Sequence, residues 1–307
     1  MVKSAPILCF LLYLSLYSHA GKDTSFPSSS ANKRLIFVTG ANALFYAGSY
    51  FTLNKAWYND FEKEPFHFFN DNAEWNQVDK VGHVWSTYQF GRWSSRMWQW
   101  AGLTQQQAAL AGAAGGMLYQ GIIEMQDAYS AEWGFSWGDM GANLAGAAIF
   151  AVQELTWKDQ RIQLKMGYHP FNYPPALKNR RNELFGTSVP ERILKDYNSQ
   201  TYWLTANVSS FLPESDIPKW LNISVGYGAG GMYGGRNNVW TDDETGITYD
   251  YTHLPRIRRF YLSPDVDLTR LPVKSKLLKS VLFVVNSFRI PLPALELSNG
   301  KISGVVR

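Results

Sequence analysis

Six residues of this sequence carry its most legible chemistry: Asp79, Lys80, His83, Glu124, Asp139 and Asn143. Asp79 and His83 are four residues apart, as are Asp139 and Asn143, so a helix puts each pair on one face. An acid beside a histidine or carboxamide in apolar surroundings costs several kcal/mol (roughly) if left unpaired, so the three segments are expected to converge. Two chemistries are open to such a set. His83 could ligate a metal with Asp79, Asp139 or Glu124, the divalent-ion candidates being Asp79, His83 and Asp139, or it could act as acid–base, oriented by a carboxylate. A third reading is structural. Asp79 serves the start of one helix as cap or dipole partner, Ser136 and Asp139 serve another, and Lys80 pairs with Glu124 or Asp139. No nucleophile or complete ligand set accompanies the six, so the structural network is the expectation and no cofactor is expected.

The elements that must position them are four segments of helical length, rich in Ala, Gly and aromatics. The first runs from about Leu35 to Tyr58, and its stretch Ile36 to Leu53 is free of charge over eighteen residues, which meets the lower bound for a membrane span. The second, Asp79 to Leu103, contains Arg92 and Arg96 and is a poor span. The third, Thr104 to Asp127, carries the small pairs Gly112/Gly116 and Ala111/Gly115. The fourth, Trp137 to Trp157, carries Ala142 and Gly146. Small residues at this spacing let helix backbones approach closely.

Before them, Lys3 is followed by an apolar run from Ile7 to Tyr17 and then Ser18-His19-Ala20, the pattern of a secretory signal cleaved after Ala20. Cys9 is the only cysteine and lacks the small residue that precedes a lipidated one, so neither lipidation there nor disulfide or thiolate chemistry in the exported chain is expected. Residues 21–34 read as a Ser-rich linker. The formal charge of +4, the 18% charged residues and their dispersal exclude a polyelectrolyte and give no support to nucleic-acid or nucleotide binding. Twelve Trp, 17 Tyr and 18 Phe point instead to surfaces that are apolar at one end and wet at the other, such as a membrane interface.

Residues 159–307 change texture to period-2 alternation. Ile162, Leu164, Met166 and Tyr168 share one face; so do Tyr202, Leu204, Ala206 and Val208; so do Leu221, Ile223, Val225 and Tyr227. Phe260 to Leu268, the run Val281–Val285 and the region Leu295–Val306 complete five or six strands, most of a length found in outer-membrane strands. The sequence thus predicts an α+β protein: a helical domain over 35–158, then an antiparallel sheet or partial barrel of five to six strands. A sheet laid on the helices is preferred.

The order D-K-x-x-H, I-E-x-Q and S-x-x-D-x-x-x-N-x-x-G, here Asp79-Lys80…His83, Ile123-Glu124…Gln126 and Ser136…Asp139…Asn143…Gly146, resembles that of VanZ-like membrane proteins. The chain is more similar to the YfiM-like predicted periplasmic lipoproteins, in their longer form with a β-rich C-terminal half. FHFFNDNAEWNQVDKVGH and EWGFSWGDMGANLAG carry that likeness in the helical half, and LKDYNSQTYWL and WLNISVGYGAGGM carry it beyond. The resemblance implies an envelope location, and the family lends no activity. The expectation is therefore an exported protein on the periplasmic side, associated with a membrane, the outer one before the inner. Envelope lipid or another protein would be its partner. The alternative is a metal- or His83-dependent enzyme acting on an envelope lipid or cell-wall precursor. Gly226–Gly235 lacks the Lys-Ser/Thr of a phosphate cradle, and Asn207 and Asn222 sit in sequons placed on strands.

Overall fold

The computed structural model describes residues 28–58, 62–242 and 245–307. The signal and most of the linker read from the sequence, residues 1–27, lie outside them. The helices in chain order are α1 (Ser28–Leu53), α2 (Val78–Trp100), α3 (Gln105–Asp127), α4 (Trp137–Thr156), α5 (Lys178–Phe185), α6 (Val189–Lys195), α7 (Val208–Phe211) and α8 (Lys276–Val285); the strands are β1 (Ile162–Tyr168), β2 (Gln200–Asn207), β3 (Leu221–Gly230), β4 (Val239–Thr241), β5 (Thr248–Asp250), β6 (Ile257–Val266), β7 (Pro293–Ser298) and β8 (Lys301–Val306). The protein is α+β. Its chain forms two compact units, a helical one made of the described part of Met1–Asp71 with His83–Gln160 and Pro272–Val285, and a sheet unit of Asn72–Gly82, Arg161–Leu271 and Asn286–Arg307.

In the helical unit the termini follow capping chemistry. Thr104 and Gln107 form a reciprocal capping box at the start of α3, and the Ser136 hydroxyl accepts from Asp139 N–H at the start of α4. The first helix begins earlier than its sequence suggests and breaks into a π-turn over Asn54–Tyr58. Among the described residues no helix is long and apolar enough to cross a membrane, although the uncharged stretch Ile36–Leu53 meets the lower bound in length. Val281–Val285, read from the sequence as a strand, is the end of α8. Five apolar residues in a row, four of them β-favouring, invite that reading, but Lys276–Ser280 extend them into a helix that buries Ser280 and Val284 on one side.

The sheet unit holds a six-stranded antiparallel sheet, order β1-β2-β3-β6-β7-β8, and a separate β4-β5 hairpin. The sheet is not closed. The region Leu295–Val306 is two strands joined at Asn299-Gly300, both with positive φ (47° and 71°), the pair that a two-residue hairpin turn demands. Register aligns Leu164, Leu204, Val225, Leu262 and Leu295 in one row across the sheet, and Lys165, Trp203, Gly226, Tyr261 and Glu296 in the neighbouring row on the other face. Gly226 is required by that second row: a Cβ there would stand 2.7 Å from the Trp203 ring. A smaller apolar core gathers Tyr173, Leu177, Phe185 and Tyr233 under α5.

The polarity of the sheet is the reverse of a soluble one. Lys165, Asp265, Asn222, Ser224 and Thr205 are 0–1% exposed, whereas Ile223, Val225, Phe260, Leu262 and Leu295 are 50–54% exposed. The polar face is closed by the segment after α8, where Met166 N–H donates to Ser287 O and Arg289 N–H to Met166 O. The helical unit is similarly inverted: Gln89, Arg92, Gln120, Glu124 and Gln153 are buried while Leu44, Leu110, Leu118, Leu144 and Val152 face out.

Candidate functional site

Helices α2, α3 and α4 meet at small residues. A Cβ on Gly146 would lie 2.3 Å from Val84 O, one on Gly116 2.8 Å from Thr87 O and one on Gly112 2.4 Å from Gly91 O. Their backbones therefore touch, and short polar side chains reach across from helix to helix. His83 and Thr87 come from α2, Gln120 and Glu124 from α3, Asp139 and Asn143 from α4.

His83 sits at the centre. Its Nδ1 is 3.1 Å from Asn143 Oδ1, so a proton on Nδ1 is donated to that carbonyl oxygen. Thr87 Oγ1 donates to the same oxygen at 3.0 Å and to His83 O at 2.9 Å. Glu124 Oε1 lies 3.8 Å from Nδ1, and Asp139 Oδ1 3.5 Å from Nε2. Gln120 Nε2 donates to Ser86 Oγ. On the other flank Ser136 N–H donates to Glu124 Oε2 at 3.2 Å, and Ser136 Oγ to Asp71 at 2.6 Å. Burial pushes the Glu124 carboxyl up to about 8. The His83 ring and the Ser136 N–H pull it down, while Asp139 and Asp127 push it further up. Glu124 is 1% exposed and Asn143 0%.

Asp79 is the second residue of α2, one turn before His83 on the same continuous helix. In the sheet unit its Oδ1 accepts from Tyr197 OH at 2.6 Å and its Oδ2 from Lys80 Nζ at 3.2 Å. Three consecutive non-glycine residues in the left-handed region, Trp75, Asn76 and Gln77 (φ 47°, 49° and 61°), lead into α2. Such backbone costs on the order of 1–3 kcal/mol per residue and persists only where neighbours fix it. Here the Trp75 ring packs on Phe185 and Tyr197, and Trp75 N–H donates to Gly235 O at 2.7 Å.

Of the six residues singled out by sequence, His83, Glu124, Asp139 and Asn143 thus meet within the helical unit, and Asp79 and Lys80 meet each other. Thr87 and Gln120 belong to the cluster but carry no motif. A second polar cluster was also not singled out. In the sheet unit Lys165 Nζ is 2.6 Å from Asp265 and donates to Val266 O at 2.7 Å, and Arg289 lies 3.5 Å from Asp265 with its guanidinium 3.6 Å over the Trp203 ring. Gln163 bridges Asp267 and Asn286 beside it. The sequon residues Asn207 and Asn222 are both fully buried, Asn207 donating to Asn222 at 2.8 Å. His67, a loop residue, places Nε2 2.6 Å from Trp133 O.

Residues 67–154 match the model of a family described as Predicted periplasmic lipoprotein (DUF2279). The matched segment takes in all six residues and stops before β1. No curated protein and no solved structure matches the chain.

Proposed function

We propose that this chain is a non-enzymatic component of a cell envelope, residing on the periplasmic side and associated with a membrane through its outward apolar surfaces. The observation that carries this reading is the reversal of polarity. Both units bury amides, carboxylates and cations and turn leucines, valines and phenylalanines outward, and large exposed apolar areas mark interaction sites. The description of the family matched over residues 67–154 supports the location. Within this reading the His83 cluster fixes the register of three helices, because its hydrogen bonds run from helix to helix through Asn143, Thr87 and Ser136.

The test compares wild type with His83→Gln. A structural cluster loses roughly 1–3 kcal/mol of stability in the variant, the cost of a buried hydrogen bond, and added Zn²⁺, Mn²⁺ or Mg²⁺ leaves the wild-type melting temperature in place. One observation favours a second reading: His83 Nε2 faces Asp139 Oδ1 at 3.5 Å, an approach that a proton or a cation between them makes attractive. A melting shift that grows with metal concentration and vanishes in both His83→Gln and Asp139→Asn would move the protein to the metal- or His83-dependent enzyme reading.

A further inference from the structure

We infer that the apolar face of the six-stranded sheet is a lipid-docking surface, seated in the acyl chains of a single leaflet. The inference rests on the membrane association proposed above and names the surface responsible for it. Several observations point to lipid. The face is in register: Leu204, Val225, Leu262 and Leu295 are successive cross-strand partners, with Phe260 paired to Leu297 in the next row. Each of these six is 43–54% exposed. On the other face of the sheet stand the fully buried Lys165 and Asp265 and the 7%-exposed Arg289, the two cations sharing the Asp265 carboxylate. A sheet that keeps its charges inside and its leucines outside has the alternation of lipid-facing strands, whereas a sheet with one face in water turns the polar side out.

The face also has the dimensions and rims of a leaflet site. On β3 the outward positions run from Leu221 to Tyr227, about 20 Å along the strand, short of the ~30 Å that spanning a full hydrocarbon core requires. Cationic side chains stand at its ends. Arg258 donates to Tyr227 OH at 2.9 Å at one rim, and the exposed Lys219 precedes the half-exposed Trp220 at the other. Basic and aromatic groups at both ends of an apolar band suit anionic head groups and the interface.

The experiment is flotation of the full chain with vesicles of phosphatidylethanolamine and phosphatidylglycerol, beside size-exclusion chromatography without lipid. Wild type is expected to float, and Val225→Arg/Leu262→Arg to lose at least about tenfold in partitioning, since charges on a lipid face are costly. The neutral pair Val225→Ser/Leu262→Ser, which serves if the charged pair misfolds by near-ultraviolet circular dichroism, is expected to lose less. Flotation unchanged in both pairs, but abolished by Leu118→Arg/Leu144→Arg, overturns the sheet as the docking face and leaves membrane association standing. Wild type that never floats overturns the membrane reading itself. Wild type that is dimeric without lipid and becomes monomeric in Val225→Arg/Leu262→Arg, with no flotation, assigns the face to a second copy of the chain and overturns the inference.

Discussion

The helical unit and the sheet unit bury polar groups of different kinds. In the helical unit most of them are neutral amides and hydroxyls, such as Gln89, Gln120, Gln126, Asn143 and Gln153, with Gln120 and Asn143 beside His83. In the sheet unit a lysine, an arginine and an aspartate are buried together, with the ammonium at 2.6 Å from its partner. Backbone geometry accounts for the difference. Helices in contact through glycine leave gaps that short amides and hydroxyls span. Lys165 on β1 and Asp265 on β6 are three strand pairings apart, and their side chains meet over the polar face of the sheet. Removing one member should therefore hurt the sheet unit more.

The largest expected effect follows. Asp265→Ala leaves Lys165 and Arg289 buried without the carboxylate they share, and should lower stability by roughly 3–5 kcal/mol in urea unfolding, the cost of an orphaned buried charge. A loss below about 1 kcal/mol would mean that water reaches the polar face and that the two units do not differ in this way.

Next is a pH effect confined to the helical unit. Glu124 titrates near 8 when folded and near 4.5 when unfolded. The folded state then holds the proton more tightly, so stability contributed below the lower value is lost as pH rises through the higher one. Between pH 5 and pH 9 wild type should lose up to a few kcal/mol that Glu124→Gln does not lose, so the variant should overtake wild type at alkaline pH. Parallel pH profiles of the two proteins would show that Glu124 is ionised throughout.

The two regions also differed in how much of them the sequence disclosed. Helix starts at Thr104 and Ser136 were legible because capping is local chemistry, and the Asp79/His83 and Asp139/Asn143 spacings were legible because helical period is. Thr87 and Gln120 were not, since a lone hydroxyl or amide in an apolar helix carries no period of its own. In the sheet, alternation correctly sorted Ile223 and Val225 from Asn222 and Ser224, yet alternation is symmetric: it separates two faces without saying which is buried. The pairing of Lys165 with Asp265 depends on register across three intervening strand contacts, and that information is not local. Val281–Val285 failed for the opposite reason, a local propensity overridden by the amphipathic helix around it.

Small residues sharpen the comparison further. Gly146→Ala puts a methyl group against the Val84 carbonyl and must separate α2 from α4, at a cost of about 1–3 kcal/mol. Because those helices carry His83 and Asn143, the same variant should also weaken the contrast between wild type and Glu124→Gln at alkaline pH. Thermal unfolding at pH 5 and pH 9 measures both. A Gly146→Ala variant as stable as wild type would show that the backbones are not in contact there.

The smallest effect is expected five residues earlier on the same helix. Gly141 is exposed, and a Cβ there meets nothing within 4 Å. With no close approach to protect, glycine in a helix interior only adds unfolded-state entropy, so Gly141→Ala should stabilise by roughly 0.5–1 kcal/mol. The sign distinguishes the inner face of α4 from its outer one: two identical substitutions on one helix should move stability in opposite directions. A destabilising Gly141→Ala in the purified protein without lipid would place another surface against this face of α4, and Leu144, exposed one turn on, would then belong to a contact and not to an open apolar surface.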